Sequence, residues 1–164
     1  MITIRKRCFA RVLLVTGASL LTTVLAIAPA RAKTDFGVRG GDYTDEDALF
    51  LGAEALFDVG DTHRWFGNPN LEHAFSDTDR DLTAMSFDFH YDFPSGQPYT
   101  IWAGAGPTLL VRDRNNPAGD NRTDAGVNLL VGVGSKRGDV RPYGQMKVVL
   151  SDNSEAVLGV GVRF

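Results

Sequence analysis

From Lys33 to the end of the chain, apolar residues alternate with polar residues or glycine at nearly every second position. The last nine residues, AVLGVGVRF, show the pattern clearly, with these side chains on one side of an extended strand: Ala156, Leu158, Val160, Val162 and Phe164. Successive side chains point to opposite faces of a β-strand, whereas a helix repeats every 3.6 residues. No long stretch of helical periodicity follows Lys33, so the pattern predicts an all-β domain.

Clusters of turn residues break the alternation and divide the chain into eight predicted strands. These are Asp35–Tyr43, Ala48–Val59, Arg64–Phe75, Leu82–Phe93, Tyr99–Arg112, Asp124–Gly134, Val140–Leu150 and Glu155–Phe164. Three connections are short turns (GDTHR, PSGQP and SKRGD), and the other four are acidic or rich in Asn (TDED, SDTDRD, DRNNPAGDNR and SDNS). Pro69 falls inside the third strand, where the lost ladder donor predicts a bulge or a strand end.

The first 32 residues differ in character from the rest. A basic segment, RKRCFAR, precedes the apolar run VLLVTGASLLTTVLAIA, and Ala30-Arg31-Ala32 matches an A-x-A cleavage pattern. Residues 1–32 are therefore predicted to be a cleaved secretory signal peptide, and residues 33–164 to be one mature domain. An uncleaved membrane anchor is the alternative, because the run is marginally long enough to span a bilayer.

Cleavage would change the charge of the chain. Residues 1–32 carry five of the 17 basic residues and none of the 20 acidic ones, which leaves 12 bases and a net charge of −8. That balance argues against a nucleic-acid partner. The single cysteine, Cys8, lies in the same segment, so no disulfide is expected.

The predicted strands have one apolar face and one mixed face on which glycine accompanies polar and aromatic residues. The larger members of the mixed face are Arg39, Glu54, Asp58, Ser86, Asp88, His90, Asp92, Trp102, Asn128, Arg141, Tyr143, Gln145, Lys147 and Arg163. A soluble barrel or sandwich would turn the apolar face inward, whereas a transmembrane barrel would turn it outward.

Packing favours the transmembrane arrangement. The interior of an eight-stranded barrel is only just wide enough for side chains, which suits glycines beside a few large residues. Opposite charges on that face can pair, which lowers the cost of burying them. Five aromatic residues are expected to form an interfacial girdle at the end with the short turns: Phe57, Trp65, Phe93, Tyr99 and Phe164.

The signal peptide, the eight strands and the terminal AVLGVGVRF together resemble the small eight-stranded outer-membrane β-barrels of Gram-negative bacteria, the OmpA/OmpX-like group. The resemblance implies an eight-stranded antiparallel up-and-down transmembrane β-barrel in the outer membrane, with both termini in the periplasm. It also implies contact with outer-membrane lipids and lipopolysaccharide. In that family such a last strand resembles the signal read by the barrel-assembly machinery, here Leu158, Val160, Val162 and Phe164.

Eight residues of the mixed face are candidates for an interior polar network: Arg39, Glu54, Asp88, His90, Asp92, Arg141, Lys147 and Arg163. The row Asp88, His90 and Asp92 could also ligate a metal. However, residues two apart on a strand lie roughly 7 Å apart, so a compact site would need ligands from other strands. We therefore expect no metal, cofactor or catalytic residue in this network.

Two further groups of residues lie near the outer loops. His73 and Ser76, followed by Asp77, have the residue types of a lipid A deacylase site, but residues three apart on a strand point to opposite faces, and a nucleophile needs its base within hydrogen-bond reach. Acidic loop residues could hold divalent cations through their oxygens. They are Asp45, Glu46, Asp47, Asp77, Asp79, Asp81, Asp113, Asp120 and Asp152.

The leading hypothesis is an integral outer-membrane protein with a structural or surface-interaction role and no catalytic activity. One alternative is a lipid-modifying outer-membrane enzyme that uses rim residues such as His73 and Ser76. Another is a periplasmic soluble β-barrel that binds an apolar ligand.

Overall fold

The chain forms a closed barrel of eight antiparallel strands. The computed structural model describes residues 34–76, 80–114 and 122–164. The strands are β1 Thr34–Tyr43, β2 Ala48–Asp58, β3 Trp65–Phe75, β4 Arg80–Asp92, β5 Tyr99–Arg114, β6 Arg122–Ser135, β7 Arg141–Leu150 and β8 Glu155–Arg163. Each strand pairs with the next, and β1 pairs with β8. The predicted eight-stranded antiparallel up-and-down barrel is confirmed, and each predicted strand end is within two residues of the observed one.

The two ends of the barrel are named here by the chain termini. The proximal end carries the start of β1, the end of β8 and the connections 59–64, 93–98 and 136–140. At the distal end β1 is joined to β2, β3 to β4, β5 to β6 and β7 to β8. The predicted signal peptide, residues 1–32, lies outside the described residues. Within the described ranges, no helix is long and apolar enough to cross a membrane.

The apolar face of the strands points outward. On β2, Leu49 and Leu51 are largely exposed, while Ala48 and Phe50 between and beside them are buried. The same alternation continues along β6 and β7. A soluble barrel would place these faces the other way round.

The third strand is regular despite its proline. The ladder between β2 and β3 is interrupted opposite Pro69, between the pairs Glu54↔Asn70 and Phe57↔Gly67. The register is the same on both sides of the interruption, so no residue is inserted. The predicted bulge or strand end at Pro69 is therefore wrong, because the ladder loses pairs on one side only, and Pro69 remains paired with β4 on the other.

Buried apolar side chains fill the distal half of the interior and form a cluster that we call the apolar plug. Each member is at most 3% exposed, and every strand except β6 contributes. The members are Tyr43, Ala48, Phe50, Ala74, Leu82, Ala84, Leu110, Val149 and Val157. This cluster is not among the predicted features, because the sequence pattern predicts a mainly polar inward face along the whole barrel.

Glycines on the inward face leave room for aromatic rings. A Cβ atom added at Gly132 would lie 2.4 Å from the Trp102 ring, and one at Gly161 would lie 2.5 Å from the Tyr143 ring. Gly144 is different, because a Cβ atom there would meet nothing within 4 Å. Its neighbours on β7 show that it belongs to the outward face.

These positions give a matched pair of substitutions. Gly132→Ala should lower the free energy of unfolding by about 1–3 kcal/mol, because the added methyl group overpacks the interior against Trp102. Gly144→Ala should leave it unchanged or raise it by about 0.4–1 kcal/mol, since alanine restricts the unfolded chain. Urea titrations of the protein in detergent, followed by the folded fraction on gels, would test this. Equal effects of the two substitutions would contradict the assigned faces.

Candidate functional site

On the proximal side of the plug, five charged side chains from five strands form a buried group that we call the charge lattice. None is more than 7% exposed. The members are Arg39 on β1, Glu54 on β2, Glu72 on β3, Lys147 on β7 and Arg163 on β8. Opposite charges in a low-dielectric interior attract strongly, but each loses its hydration, so every charge there depends on its partners.

Glu72 is the most heavily bonded carboxylate of the lattice. Its Oε2 accepts hydrogen bonds from Lys147 Nζ at 2.7 Å and from the Tyr43 hydroxyl at 2.5 Å. Its Oε1 lies 3.0 Å from Arg39 Nη2. Because Tyr43 belongs to the apolar plug, Glu72 connects the plug directly to the lattice.

Glu54 is the second carboxylate of the lattice. Its Oε1 accepts a hydrogen bond from Arg163 Nε at 2.7 Å, and its Oε2 accepts one from Asn68 Nδ2 at 3.0 Å. Arg39 Nη1 lies 3.5 Å from Oε2. Arg39 therefore lies between Glu54 and Glu72 and links the two halves of the lattice.

Asp88 lies in the same interior but is held by amides rather than by a cation. Asn70 Nδ2 donates to its Oδ2 at 2.9 Å, and Asn128 Nδ2 donates to its Oδ1 at 2.8 Å. The sequence pattern predicts that the row Asp88, His90 and Asp92 takes part in an interior network of ion pairs and hydrogen bonds with Arg39, Arg141 or Lys147. Among the described side chains, Asp88 takes part through hydrogen bonds to amides, and no ion pair joins it to any of these three cations.

The remaining predicted members lie nearer the proximal end. His90 Nε2 is 3.5 Å from Asp92 Oδ1, which is too long for a good hydrogen bond. Thr100 Oγ1 donates to Asp92 Oδ2 at 3.1 Å. Arg141 Nη2 lies 2.5 Å from Asp35 Oδ2. The row of Asp88, His90 and Asp92 is therefore not a cluster of converging ligands.

The structure thus brings together four of the eight predicted network residues as ion pairs: Arg39, Glu54, Lys147 and Arg163. A fifth, Asp88, is linked to Glu54 by hydrogen bonds through Asn70 and Asn68. Arg141 lies apart from them, and Glu72 is a member that was not predicted. The polar alternation of Asn68, Asn70 and Glu72 along β3 was the available signal, but the intervening Pro69 obscured it.

A second group of charged side chains lies on the distal side of the plug, at the distal end of the barrel. Arg112 Nη1 donates to Asp124 Oδ2 at 2.7 Å, Nη2 pairs with Glu155, and Nε lies 3.5 Å from Glu46. Arg112 therefore ties β5 to β6, to β8 and to the first distal connection. Arg122 pairs with Asp124 and, more exposed to solvent, with Asp152.

The acidic residues predicted to bind divalent cations are mostly engaged where they are described. Asp45 Oδ2 accepts a hydrogen bond from the Ala156 backbone N–H at 2.9 Å, and Glu46 and Asp152 pair with arginines. In residues 34–76, 80–114 and 122–164, no group of three or more His, Cys, Asp or Glu could hold a metal ion. These predicted positions lie outside the described residues: Asp77, Asp79 and Asp120.

His73, the base of the enzymatic alternative, faces outward on β3. Its Nδ1 lies 3.0 Å from Thr83 Oγ1, and its ring contacts Phe75 edge-on, with centroids 4.7 Å apart. Ser76 follows the end of β3, and Asp77 lies outside the described residues. The described contacts of His73 are therefore with neighbours on the outer surface.

Comparison with known proteins identifies the fold. No protein-family model and no curated protein matches the chain. The N-terminal β-barrel domain of Pseudomonas aeruginosa OprF superposes with a TM-score of 0.67 at 16% identity, covering 82% of this chain and 98% of that one. This chain has the fold of the small eight-stranded outer-membrane β-barrels. Neisserial surface protein A gives a TM-score of 0.60 at 17% identity, covering 80% of this chain and 94% of that one.

A third structure shares the outer-membrane barrel fold at a lower score. Ail of Yersinia pestis, crystallised with the heparin analogue sucrose octasulfate, gives a TM-score of 0.51 at 12% identity. The match covers 81% of this chain and 97% of that one. The predicted resemblance is confirmed, and at these identities it establishes the fold alone.

On this outer-membrane barrel fold, exposed aromatic residues lie on the outside near the proximal end, at β3, β4, β5 and β8. Trp65, Phe93, Tyr99 and Phe164 are all exposed on the outside, as predicted for a girdle. Phe57, the fifth predicted member, is only 9% exposed. The far end of its ring lies over a glycine, because a Cβ atom added at Gly67 would be 2.7 Å from Phe57 Cζ.

Proposed function

We propose that the protein is an integral outer-membrane β-barrel with a structural or surface-interaction role and no catalytic activity. The supporting observation is an apolar belt, to which every strand contributes a side chain more than 40% exposed. One such residue per strand is Val38, Leu51, Leu71, Phe89, Ile101, Val131, Met146 and Val160. Each square ångström of apolar surface in water costs about 25 cal/mol, so lipid is the favourable surrounding for this belt.

Closure of the barrel supports the same proposal. In a bilayer core every backbone polar group must find a partner within the protein. A closed barrel meets this need, because every strand has a hydrogen-bonded neighbour on both sides. Each member of the charge lattice forms an ion pair with another member, and Asp88 is bonded by amides, as in a structural core. The proposal includes contacts with outer-membrane lipids, with lipopolysaccharide and with the barrel-assembly machinery. It also includes export directed by residues 1–32, which are then cleaved off.

Gel mobility combined with fractionation tests the location. The detergent-extracted protein, unheated in SDS, should migrate differently from the boiled sample, and it should remain in the outer-membrane fraction. Release by osmotic shock, without a mobility shift, would overturn the proposal. Mass spectrometry of lipid A from cells with and without the protein tests the non-enzymatic role, and a change in acylation would contradict it.

A charge introduced in the belt gives a sharper test. Val160, in the middle of β8, is 68% exposed. Val160→Arg should destabilise the membrane-inserted protein by about 2–4 kcal/mol, because arginine is costly on the lipid face of a barrel. Ser154→Arg, in an exposed distal connection, should have little effect. Unfolding in vesicles measures both, and two neutral substitutions would indicate that water, rather than lipid, surrounds β8.

A further inference from the structure

We infer that the barrel interior is sealed from one side: the apolar plug is a dry barrier across the distal half, while the charge lattice is hydrated from the proximal end. The inference deepens the proposed function, because such a barrel would be a blind vestibule rather than a pore. Its main test works in detergent, so it can fail separately from the proposed membrane location.

The composition of the plug supports a dry distal half. Seven strands contribute to it, and Tyr43, Leu110 and Val149 have no measurable exposure. A buried water molecule needs two to four polar partners, and purely apolar cavities stay dry. The only side-chain polar atom of the plug is the Tyr43 hydroxyl, and it is already bonded to Glu72 on the lattice side. Apolar constrictions of this kind stop ions by excluding water.

The proximal half is more polar than the plug, although Trp102, Leu130 and Tyr143 form a smaller buried apolar cluster there. Its buried side-chain atoms without a hydrogen-bond partner among the described residues include Arg163 Nη2, Gln145 Nε2, His90 Nε2 and Asp92 Oδ1. Buried polar groups that lack a protein partner are normally satisfied by ordered water. The Asp92 side chain is 22% exposed and its Oδ1 lies 3.5 Å from His90 Nε2, so water that reaches Asp92 from the proximal end would stand next to His90.

The rings around Arg163 give this half its shape. The Arg163 guanidinium lies over the Tyr143 ring at 4.3 Å and over the Trp102 ring at 5.0 Å. The guanidinium also donates from Nε to Glu54. Its Nη2 is buried without a hydrogen-bond partner among the described residues, so this nitrogen is available to water.

Two cysteine substitutions on one strand distinguish the two halves. Ser86 and Ala84 both point inward on β4, and they are 8% and 1% exposed. Ser86 lies at the polar level and bonds Thr108 at 2.8 Å, whereas Ala84 belongs to the plug. Residues 33–164 contain no cysteine, so each variant carries a single thiol once residues 1–32 are cleaved as proposed.

The folded variants would be treated with methyl methanethiosulfonate, a small neutral thiol reagent, then unfolded and labelled with polyethylene glycol maleimide. The small reagent should block the Ser86→Cys thiol in the folded protein, so that this variant is not labelled after unfolding. The Ala84→Cys thiol should stay unreacted and be labelled. Ser154→Cys, in an exposed connection, is the control that shows how quickly a fully accessible thiol reacts. Equal behaviour of the two interior thiols, whether both react or both stay unreacted, would overturn the inference. Ala74→Cys is a second plug variant if Ala84→Cys does not fold.

Conductance provides an independent measurement in planar bilayers. The double substitution Glu72→Gln with Lys147→Met removes an ion pair while nearly preserving volume, and it should leave the conductance at the wild-type level. Leu110→Ser, within the plug, should increase conductance. An increase from the lattice variant alone would show that the charges form the barrier, and would overturn the inference. Failure of the proposed function would instead appear as loss of the gel shift and of membrane insertion.

Discussion

Glu72→Ala is expected to destabilise the folded barrel by about 3–5 kcal/mol, the usual cost of leaving buried cations without their partner. The substitution removes the acceptor of Lys147 Nζ and the closest carboxylate of Arg39. It also leaves the Tyr43 hydroxyl without its bond at the boundary of the plug. Urea unfolding in detergent or vesicles, followed by gel mobility, measures the change.

Two further variants separate the loss of pairing from the loss of packing. Glu72→Leu with Lys147→Leu should be less destabilising than the two single substitutions added together, since apolar residues often replace a buried ion pair at little cost. Asp152→Ala removes the exposed pair with Arg122 and should cost no more than about 1 kcal/mol. If Glu72→Ala lowered the free energy of unfolding by no more than Asp152→Ala does, the charges of the lattice would not depend on one another as proposed.

The direction of each side chain could be predicted from the sequence because it is a local property. Residues two apart on a strand share a face, so the exposed Leu49 and Leu51 and the buried Glu54 follow from parity alone. The partner across the barrel is not local, because it depends on strand tilt and stagger. For this reason Asp88 was predicted to lie in the interior, while its partners, Asn70 and Asn128, were not identified.

The apolar plug was missed for a related reason. Where both faces of a strand are apolar, the alternation disappears into a continuous run. Such runs stand at the distal ends of several strands, in ALFL, TLLV, VVL and AVL. Within each run, one residue points outward into the apolar belt and its neighbour points inward into the plug, as Leu51 and Phe50 do. Read this way, the sequence contains a signal for an apolar layer inside the distal half.

Deletion of Phe164 is expected to reduce assembly in cells far more than it weakens the folded barrel. Phe164 extends the pairing of β8 with β1, the seam at which the barrel closes. Its N–H donates to the Phe36 carbonyl at 2.9 Å, and its carbonyl accepts from the Phe36 N–H at 3.1 Å. Its side chain is mainly exposed and packs little within the barrel. Two lost hydrogen bonds cost about 1–3 kcal/mol, which a barrel of eight strands can withstand.

The comparison therefore has to separate assembly from stability. We expect the truncated protein to refold into detergent in vitro and to show the gel shift, while its amount in the outer membrane of cells falls sharply. Phe164→Tyr, which keeps an aromatic end, should assemble normally. A truncated chain that reached the membrane in normal amounts would remove the proposed role of Leu158, Val160, Val162 and Phe164 as an assembly signal. Loss of refolding in vitro as well would mean that Phe164 acts through closure of the seam with Phe36.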